Sequence, residues 1–299
     1  MNHTVFNLRV VGMPSSHVLA WMCLVAALSC NGLITKQNNC INILSVVERS
    51  SIDMCIIKIQ SIVVSAREPD RINFGFLAMS RSDAKILQTR IYDCLPNITY
   101  EIKVYNDVKS PLVHRLVPVL KQLSHKGFEK PVIYARIILP DIFIEMQRFL
   151  YLDNDIVGNI DVADIYDTPL VMGNNQPTHS GFVWERQTLN HMYLSHHLNY
   201  SHEVVKRVYE NQTRAKNDFF NSGVWLCDAS LWRRLNNSDL VLDLVVRNVH
   251  EKFCIRCSDQ EFFFLAFSRS NTARLPIHFN YRRLLKHSVE RLIHNRGMP

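Results

Sequence analysis

Glycine and proline are scarce here, nine and eleven in 299 residues, and nowhere do they gather into a flexible tether or a low-complexity tail. That excludes a collagen-like repeat and leaves nothing to divide the chain after residue 40. No dense basic run with interleaved aromatics occurs either. The net charge of +7, from 34 Lys and Arg against 27 Asp and Glu, suits an anionic ligand without pointing to nucleic acid. Among eight cysteines, Cys254-Ile-Arg-Cys257 is a lone CxxC with no second pair and no nearby His pair. A zinc site is therefore not expected; a short-loop disulfide or two free thiols is. What is present is apolar mass: 47% hydrophobic against 20% charged. Such a chain is neither disordered nor a small disulfide-stapled module, and its length allows one large domain or two modest ones.

Val18–Leu28 is an unbroken apolar run, extended after Ser29–Gly32 by Leu33 and Ile34. A spanning helix needs about 20 predominantly apolar residues, so the run only just qualifies as an anchor. Read as a signal peptide it has an h-region of suitable length and a small-residue site at Ala27-Leu28-Ser29, though Arg9 is its only basic n-region residue. The expectation is a secretory signal or single-pass anchor with a short stem over 1–39, and one domain over 40–299. Acceptor triplets at Asn97, Asn199, Asn211 and Asn236 fit a secretory route. So do the six cysteines beyond the run (Cys40, Cys55, Cys94, Cys227, Cys254, Cys257), although spacing does not dictate their pairing. These features predict the secretory pathway, in the Golgi lumen or outside the cell. An uncleaved leader would attach the chain to the membrane.

From residue 40 short β-branched runs alternate with amphipathic stretches. Ile41–Val47 reads as a strand, followed by a helix capped by Ser50 or Ser51 and running to about Arg67. Arg71–Met79 reads as a second strand, and Ser80–Asp93 as a helix capped by Ser80 or Ser82. Ile98–Tyr105 is a third strand with period-two alternation. Strand–helix–strand at these lengths implies right-handed crossovers, hence a largely parallel α/β sheet with helices on both faces. Ligands of such sheets bind at the carboxyl ends of the strands.

The strand Arg148–Leu152 is followed at its carboxyl end by Asp153 and Asp155. Two positions apart on an extended chain, their side chains project to one side. Two close carboxylates repel unless a cation sits between them. A hard divalent ion takes one or two carboxylates plus substrate phosphates, which suggests a metal bridging protein and diphosphate. Taken alone, the same residues read equally as a solvated turn. Asp153-x-Asp155-x-Val157 also fits the aspartyl nucleophile of a haloacid dehalogenase-like phosphatase. The pair lies mid-chain, however, and no Gly-Asp dipeptide is present.

The surroundings are more specific. Segment 151–157 (YLDNDIV) resembles the DxD segment of family 8 of the glycosyltransferases, retaining enzymes that include glycogenin and bacterial galactosyltransferases. Segment 134–140 (YARIILP) resembles that family's helix carrying a donor-facing arginine, and 158–166 (GNIDVADIY) the stretch after the DxD. Segment 219–226 (FFNSGVWL), trailed by Leu231-Trp232-Arg233, is similar to the family's FNSGV block, and Ser258-Asp259-Gln260 to its DQ segment. The resemblance covers roughly 41–299 and implies a GT-A-type, Rossmann-like sheet.

By that resemblance, Asp153 and Asp155 hold Mn2+ (or Mg2+) against a UDP-sugar, with His294 as the third ligand. Arg136 pairs with a phosphate or orients a carboxylate. Asn221 hydrogen-bonds a sugar hydroxyl, and Gly223 lets the backbone approach the ligand. Asp259 and Gln260 sit beside the anomeric carbon. Ser45 and Glu48 lie where the family contacts the nucleoside, although this stretch lacks the Thr-Asp often found there. The implied reaction retains configuration without a covalent enzyme intermediate, since Gln260 is a poor nucleophile, and the acceptor is a glycan or protein. Leu292–Pro299 matches the first half of the family's H-x-x-G-x-x-K-P-W closing motif through His294 and Gly297, and the sequence stops before the lysine. A weakened or inactive relative that only binds a glycan or partner is the alternative.

Overall fold

The computed structural model describes residues 40–120, 122, 131–173, 175–186, 197–210, 218–255, 257–267, 272–276 and 279. The apolar run, Asn211, His294 and Gly297 lie outside them.

The first three strands follow the expected alternation: β1 Ile41–Val47, α1 Ile52–Ser65, β2 Ile72–Ala78, α2 Arg81–Cys94 and β3 Thr99–Val104. β1 pairs β2 in parallel from Ile41↔Ile72 to Val47↔Ala78, and β2 pairs β3 in parallel. Ser80 caps α2, its hydroxyl accepting from the Asp83 N–H at 3.1 Å. Ser51 does not cap α1. Its hydroxyl closes a 3-10 turn over Arg49–Ser51 by accepting from the Glu48 N–H at 3.2 Å.

Next come α3 Pro111–Leu120, α4 Pro131–Tyr134, a 3-10 turn Ala135–Ile138 and α5 Leu139–Ile142. The continuous helix expected over 134–139 is thus broken. An α-helical bond to the Arg136 carbonyl needs the N–H of residue 140, which is Pro140. The Leu139 N–H takes that carbonyl instead, one residue early. The remaining elements are β4 Arg148–Leu152, α6 Val162–Tyr166, β5 Ser180–Arg186, α7 Glu203–Glu210, β6 Asp218–Asp228, α8 Ala229–Arg234, α9 Asn237–Glu251, α10 Asp259–Ala266 and β7 Ala273–Leu275.

The seven strands form one sheet in the order β3-β2-β1-β4-β6-β5-β7. β1 and β4 are parallel, while β6 runs against both β4 and β5, so the sheet is mixed rather than wholly parallel. Strand order reverses between β1 and β4, and a switch point of this kind opens a crevice at the strands' carboxyl ends. Alternation along β4 sends Phe149 and Tyr151 into one core and Leu150 and Leu152 into the other. The first core packs residues of α3–α5 and α7–α10, the second those of α1, α2 and α6. Helices therefore cover both faces, as the pattern predicted. Among the described residues no helix is long and apolar enough to cross a membrane. Cys254 and Cys257 form a disulfide, with Cα atoms 5.8 Å apart.

His179 is buried in the first face, edge-on to Trp232 and Phe267, with ring centroids 5.3 and 4.7 Å away. Its Nδ1 lies 2.8 Å from Ser180 Oγ, which accepts from the Trp225 indole N–H. Burial, opposed by Asp228, pushes its pKa down to about 4. The unfolded ring takes up a proton below about pH 6.5, so the unfolded state binds more protons between there and pH 4. Stability falls as pH drops through that window, by about 1.4 kcal/mol per pH unit from this group. His179→Phe should therefore melt with a shallower acid dependence than the parent between pH 7.5 and pH 5. Parallel melting curves would place the acid sensitivity elsewhere.

Candidate functional site

At the carboxyl end of β4 the Asp153 N–H still bonds the Gly223 carbonyl at 2.9 Å, continuing the pairing with β6. The chain then turns, the Ile156 N–H reaching the Asp153 carbonyl at 3.3 Å. Asn154 and Asp155 are turn residues, so the extended-chain premise behind the pair of aspartates does not hold. Asp153 is half-buried and Asp155 is exposed.

Asp153 is held closely. Tyr151, two residues earlier on the same face of β4, donates its hydroxyl to Oδ1 at 2.9 Å, and the Arg136 guanidinium stands 3.5 Å from that oxygen. Arg136 lies over the Tyr151 ring, 4.8 Å from its centroid, and donates through Nη1 to the Ser222 carbonyl at 2.7 Å and hydroxyl at 3.1 Å. Its Nε pairs with Asp259 Oδ2. Burial favours losing the guanidinium proton, but Asp153 and Asp259 outweigh it and raise the pKa further. Asp259, 1% exposed, has its pKa raised to about 7 by burial, against the pull of Arg136. One half-buried cation thus faces two carboxylates.

β6 supplies the opposite wall. Its register with β5 jumps between Phe182↔Trp225 and Val183↔Asn221, so Ser222, Gly223 and Val224 bulge from that pairing. Bulges re-aim side chains near functional sites. Here Ser222 N–H and Oγ reach Gln260 Oε1 at 3.0 and 3.1 Å. The Asn221 side-chain oxygen accepts from the Gly223 N–H at 2.7 Å. A Cβ on Gly223 would stand 2.7 Å from Asp153 Oδ2 and 3.0 Å from Asn221 Oδ1. The approach of Asp153's own carboxylate already calls for glycine here.

Six of the expected residues therefore meet at one place: Arg136, Asp153, Asn221, Gly223, Asp259 and Gln260. Arg136 orients carboxylates, one of the two roles expected of it. Asp259 faces Arg136 from the interior. The Asn221 oxygen accepts from the Gly223 N–H within its own turn. Ser45 is 1% exposed, its hydroxyl donating to the Leu152 carbonyl at 2.9 Å and accepting from Lys58 at 2.5 Å. It belongs inside the sheet, not against a nucleoside. Glu48 is half-buried at the carboxyl end of β1, taking a hydrogen bond from Ser50 at 2.8 Å.

Sequence reasoning missed Tyr151, Ser222, Lys58 and Asn154 as parts of this site. Tyr151 and Ser222 lay inside quoted motifs. Lys58 carried a signal of its own, a lysine in phase with the buried Cys55, Ile59 and Ile62 of α1.

Among the described residues no three His, Cys, Asp or Glu side chains gather into a complete cation cage. The donor set nevertheless suits a hard ion that takes only one or two protein carboxylates. Tyr151 and Arg136 occupy Asp153 Oδ1, while Oδ2 lies against Gly223, where a Cβ would stand only 2.7 Å away.

The sequence profile of Glycosyl transferase family 8 matches residues 42–296. The chain belongs to glycosyltransferase family 8. Glycosyltransferase 8 domain-containing protein 1 of Xenopus tropicalis is 31% identical over 114 residues, which are 36% of this chain and 30% of that protein. A probable galacturonosyltransferase-like protein 6 of Arabidopsis thaliana is 25% identical over 183 residues, 60% of this chain and 47% of that one. The matches thus span 30% and 47% of these relatives' length. The family 8 chain also shares its fold with the galactosyltransferase LgtC in complex with donor and acceptor sugar analogues. That likeness has a TM-score of 0.53 at 15% identity and covers 77% of this chain and 72% of that one. Mouse xyloside xylosyltransferase 1 in its apo form gives 0.52 at 16% identity, covering 75% and 80%. Family membership removes the phosphatase alternative.

Proposed function

We propose that this family 8 chain transfers a hexose or pentose from a UDP-sugar to a glycan or protein acceptor, with retention of configuration and with Mn2+ (or Mg2+) bound. The observation that carries this reading is the convergence of Arg136, Asp153, Ser222, Asp259 and Gln260 at the β1/β4 switch point.

In this reading Asp153, Asp155 and His294 hold the ion, which when bound takes up negative charge on the departing diphosphate as a Lewis acid. Tyr151 and Arg136 fix one oxygen of Asp153 and so aim the other. Asp259 is a positioning residue that acts through Arg136. The Ser222 N–H is a donor only, so it fixes Gln260 Oε1 as the acceptor and leaves the amide N–H groups to meet the sugar. Gln260 is a poor nucleophile and Asp259 is committed to Arg136, which favours departure and attack on one face of the sugar without a covalent enzyme intermediate. Asn221 lines the sugar, and Glu48 and Gly297 the rest of the donor. We place the protein in the secretory pathway, in the Golgi lumen or secreted. Residues 1–39 are its signal or anchor with a short stem, and 40–299 its transferase domain.

The test is donor hydrolysis. Incubated with Mn2+ and a panel of UDP-sugars, the protein should release UDP, and UDP with Mn2+ should raise its melting temperature. Neither effect with any donor would leave a binding protein only. Asp155→Asn should abolish metal-dependent UDP binding. Asp155 is exposed, and surface substitutions of this kind shift stability by about 0.5 kcal/mol or less, so the melting temperature should hold. Undiminished UDP affinity in that variant would move the metal ligands elsewhere.

A further inference from the structure

We infer that Lys58 and Asn154 form a positioning pair that fixes the turn carrying Asp153 and Asp155. The inference deepens the donor-site reading and rests on it. Lys58 is fully buried on α1, and its ammonium has an acceptor for each of its three protons: Ser45 Oγ at 2.5 Å, the Leu152 carbonyl at 3.1 Å and Asn154 Oδ1 at 2.8 Å. Two of those three acceptors lie on the segment that leaves β4. Asn154, the middle residue of the acidic triplet, is gripped at its other end as well. Its Nδ2 donates to the Val46 carbonyl at 2.8 Å and to Ser51 Oγ at 3.1 Å. The Asn154 side chain is thereby pinned between the carboxyl end of β1 and the start of α1, with an aspartate on either side of it in sequence.

The rest of that face of α1 continues the cradle. Ser61 accepts from the Gly158 N–H at 2.8 Å and Ser65 donates to the Gly158 carbonyl at 3.1 Å. A Cβ on Gly158 would stand 3.3 Å from the Ile62 backbone, so the loop lies directly on the helix. Lys58, Ser61 and Ser65, at spacings of three and four, share one side of α1 and hold residues 152–158 along it.

Stability alone gives no reason for a lysine here. Burying an ammonium is costly, and a buried charge can often be replaced by an apolar side chain of similar volume without loss. What methionine cannot do is donate to Leu152, Ser45 and Asn154 at once. The lysine is explained by the turn it holds.

The test uses the full chain with Mn2+ and UDP, bound Mn2+ being read by electron paramagnetic resonance alongside the melting temperature. Lys58→Met and Asn154→Ala should each weaken Mn2+ binding by about 10–100-fold, the range found when groups that orient metal ligands are removed. The melting temperature should not follow that loss. Combined, the two substitutions should cost no more than the worse one alone, because both cut the same tie. Parental Mn2+ affinity in both variants, or additive losses that track the melting temperature, would overturn the pair while leaving the donor site standing. If the parent itself takes up no Mn2+, the donor-site reading falls and the pair falls with it. Asn154→Ala removes only an amide from a turn, so it carries the test if Lys58→Met does not fold.

Discussion

Arg136→Met is expected to cost the protein about 3–5 kcal/mol, the usual penalty for removing one partner of a buried ion pair. Asp259 is 1% exposed and faces the guanidinium from below, and Asp153 shares the same cation from above. Without Arg136 the Asp259 side chain stays in the interior and must either hold an unpaired charge or take up a proton there, and the Ser222 carbonyl loses a donor. The melting temperature should drop by on the order of 10 °C. Adding Asp259→Asn to Arg136→Met removes the stranded charge and should recover part of that loss, since neighbours in one network do not add. A double variant melting lower than Arg136→Met alone would mean that Asp259 is not the stranded group.

The second large effect is expected on activity rather than stability. Gly223→Ala puts a methyl 2.7 Å from Asp153 Oδ2 and 3.0 Å from Asn221 Oδ1. Oδ1 is held by Tyr151, so the carboxylate cannot step back without breaking that bond, and it must rotate away from its present aim. A misplacement of about 1 Å at a reacting centre can cost around 100-fold in rate, and that is the fall expected in UDP release. The accompanying loss of stability should be that of ordinary overpacking, about 1–3 kcal/mol. Full UDP release from Gly223→Ala would show that Oδ2 is not the working oxygen.

Much of the frame was legible before any coordinates. Ile41–Val47 and Arg148–Leu152 were read with the boundaries they have, because a short apolar run bounded by turn or cap residues has few other solutions. The position of the site followed from the same logic, since acidic residues after a central strand fall at the carboxyl edge. What spacing could not supply were the contacts across the chain. Lys58 and Asn154 are 96 residues apart, and Arg136 and Ser222 are 86 apart. The same two basic residues also hold Asp259 inward and Ser45 inside the sheet, Arg136 through Asp259 Oδ2 and Lys58 through Ser45 Oγ. The turn at Asn154 stood only as one of two readings, because the side chain that bends it is held by β1 and α1, not by its neighbours in sequence. The break at Pro140 could have been read, as proline lacks the N–H that an unbroken helix needs there.

The late place of β6 in the chain also sets an order of events. β4 can align with β1 as soon as residue 152 has been made, but its other edge pairs with a strand that begins only at Asp218. During synthesis, then, the β1–β4 half of the sheet exists for dozens of residues with one ladder of amides unclosed, and chains grow from the ribosome at about 5–20 residues per second. A copy that folds as it is made would therefore offer a bare strand edge to its neighbours and to chaperones for seconds.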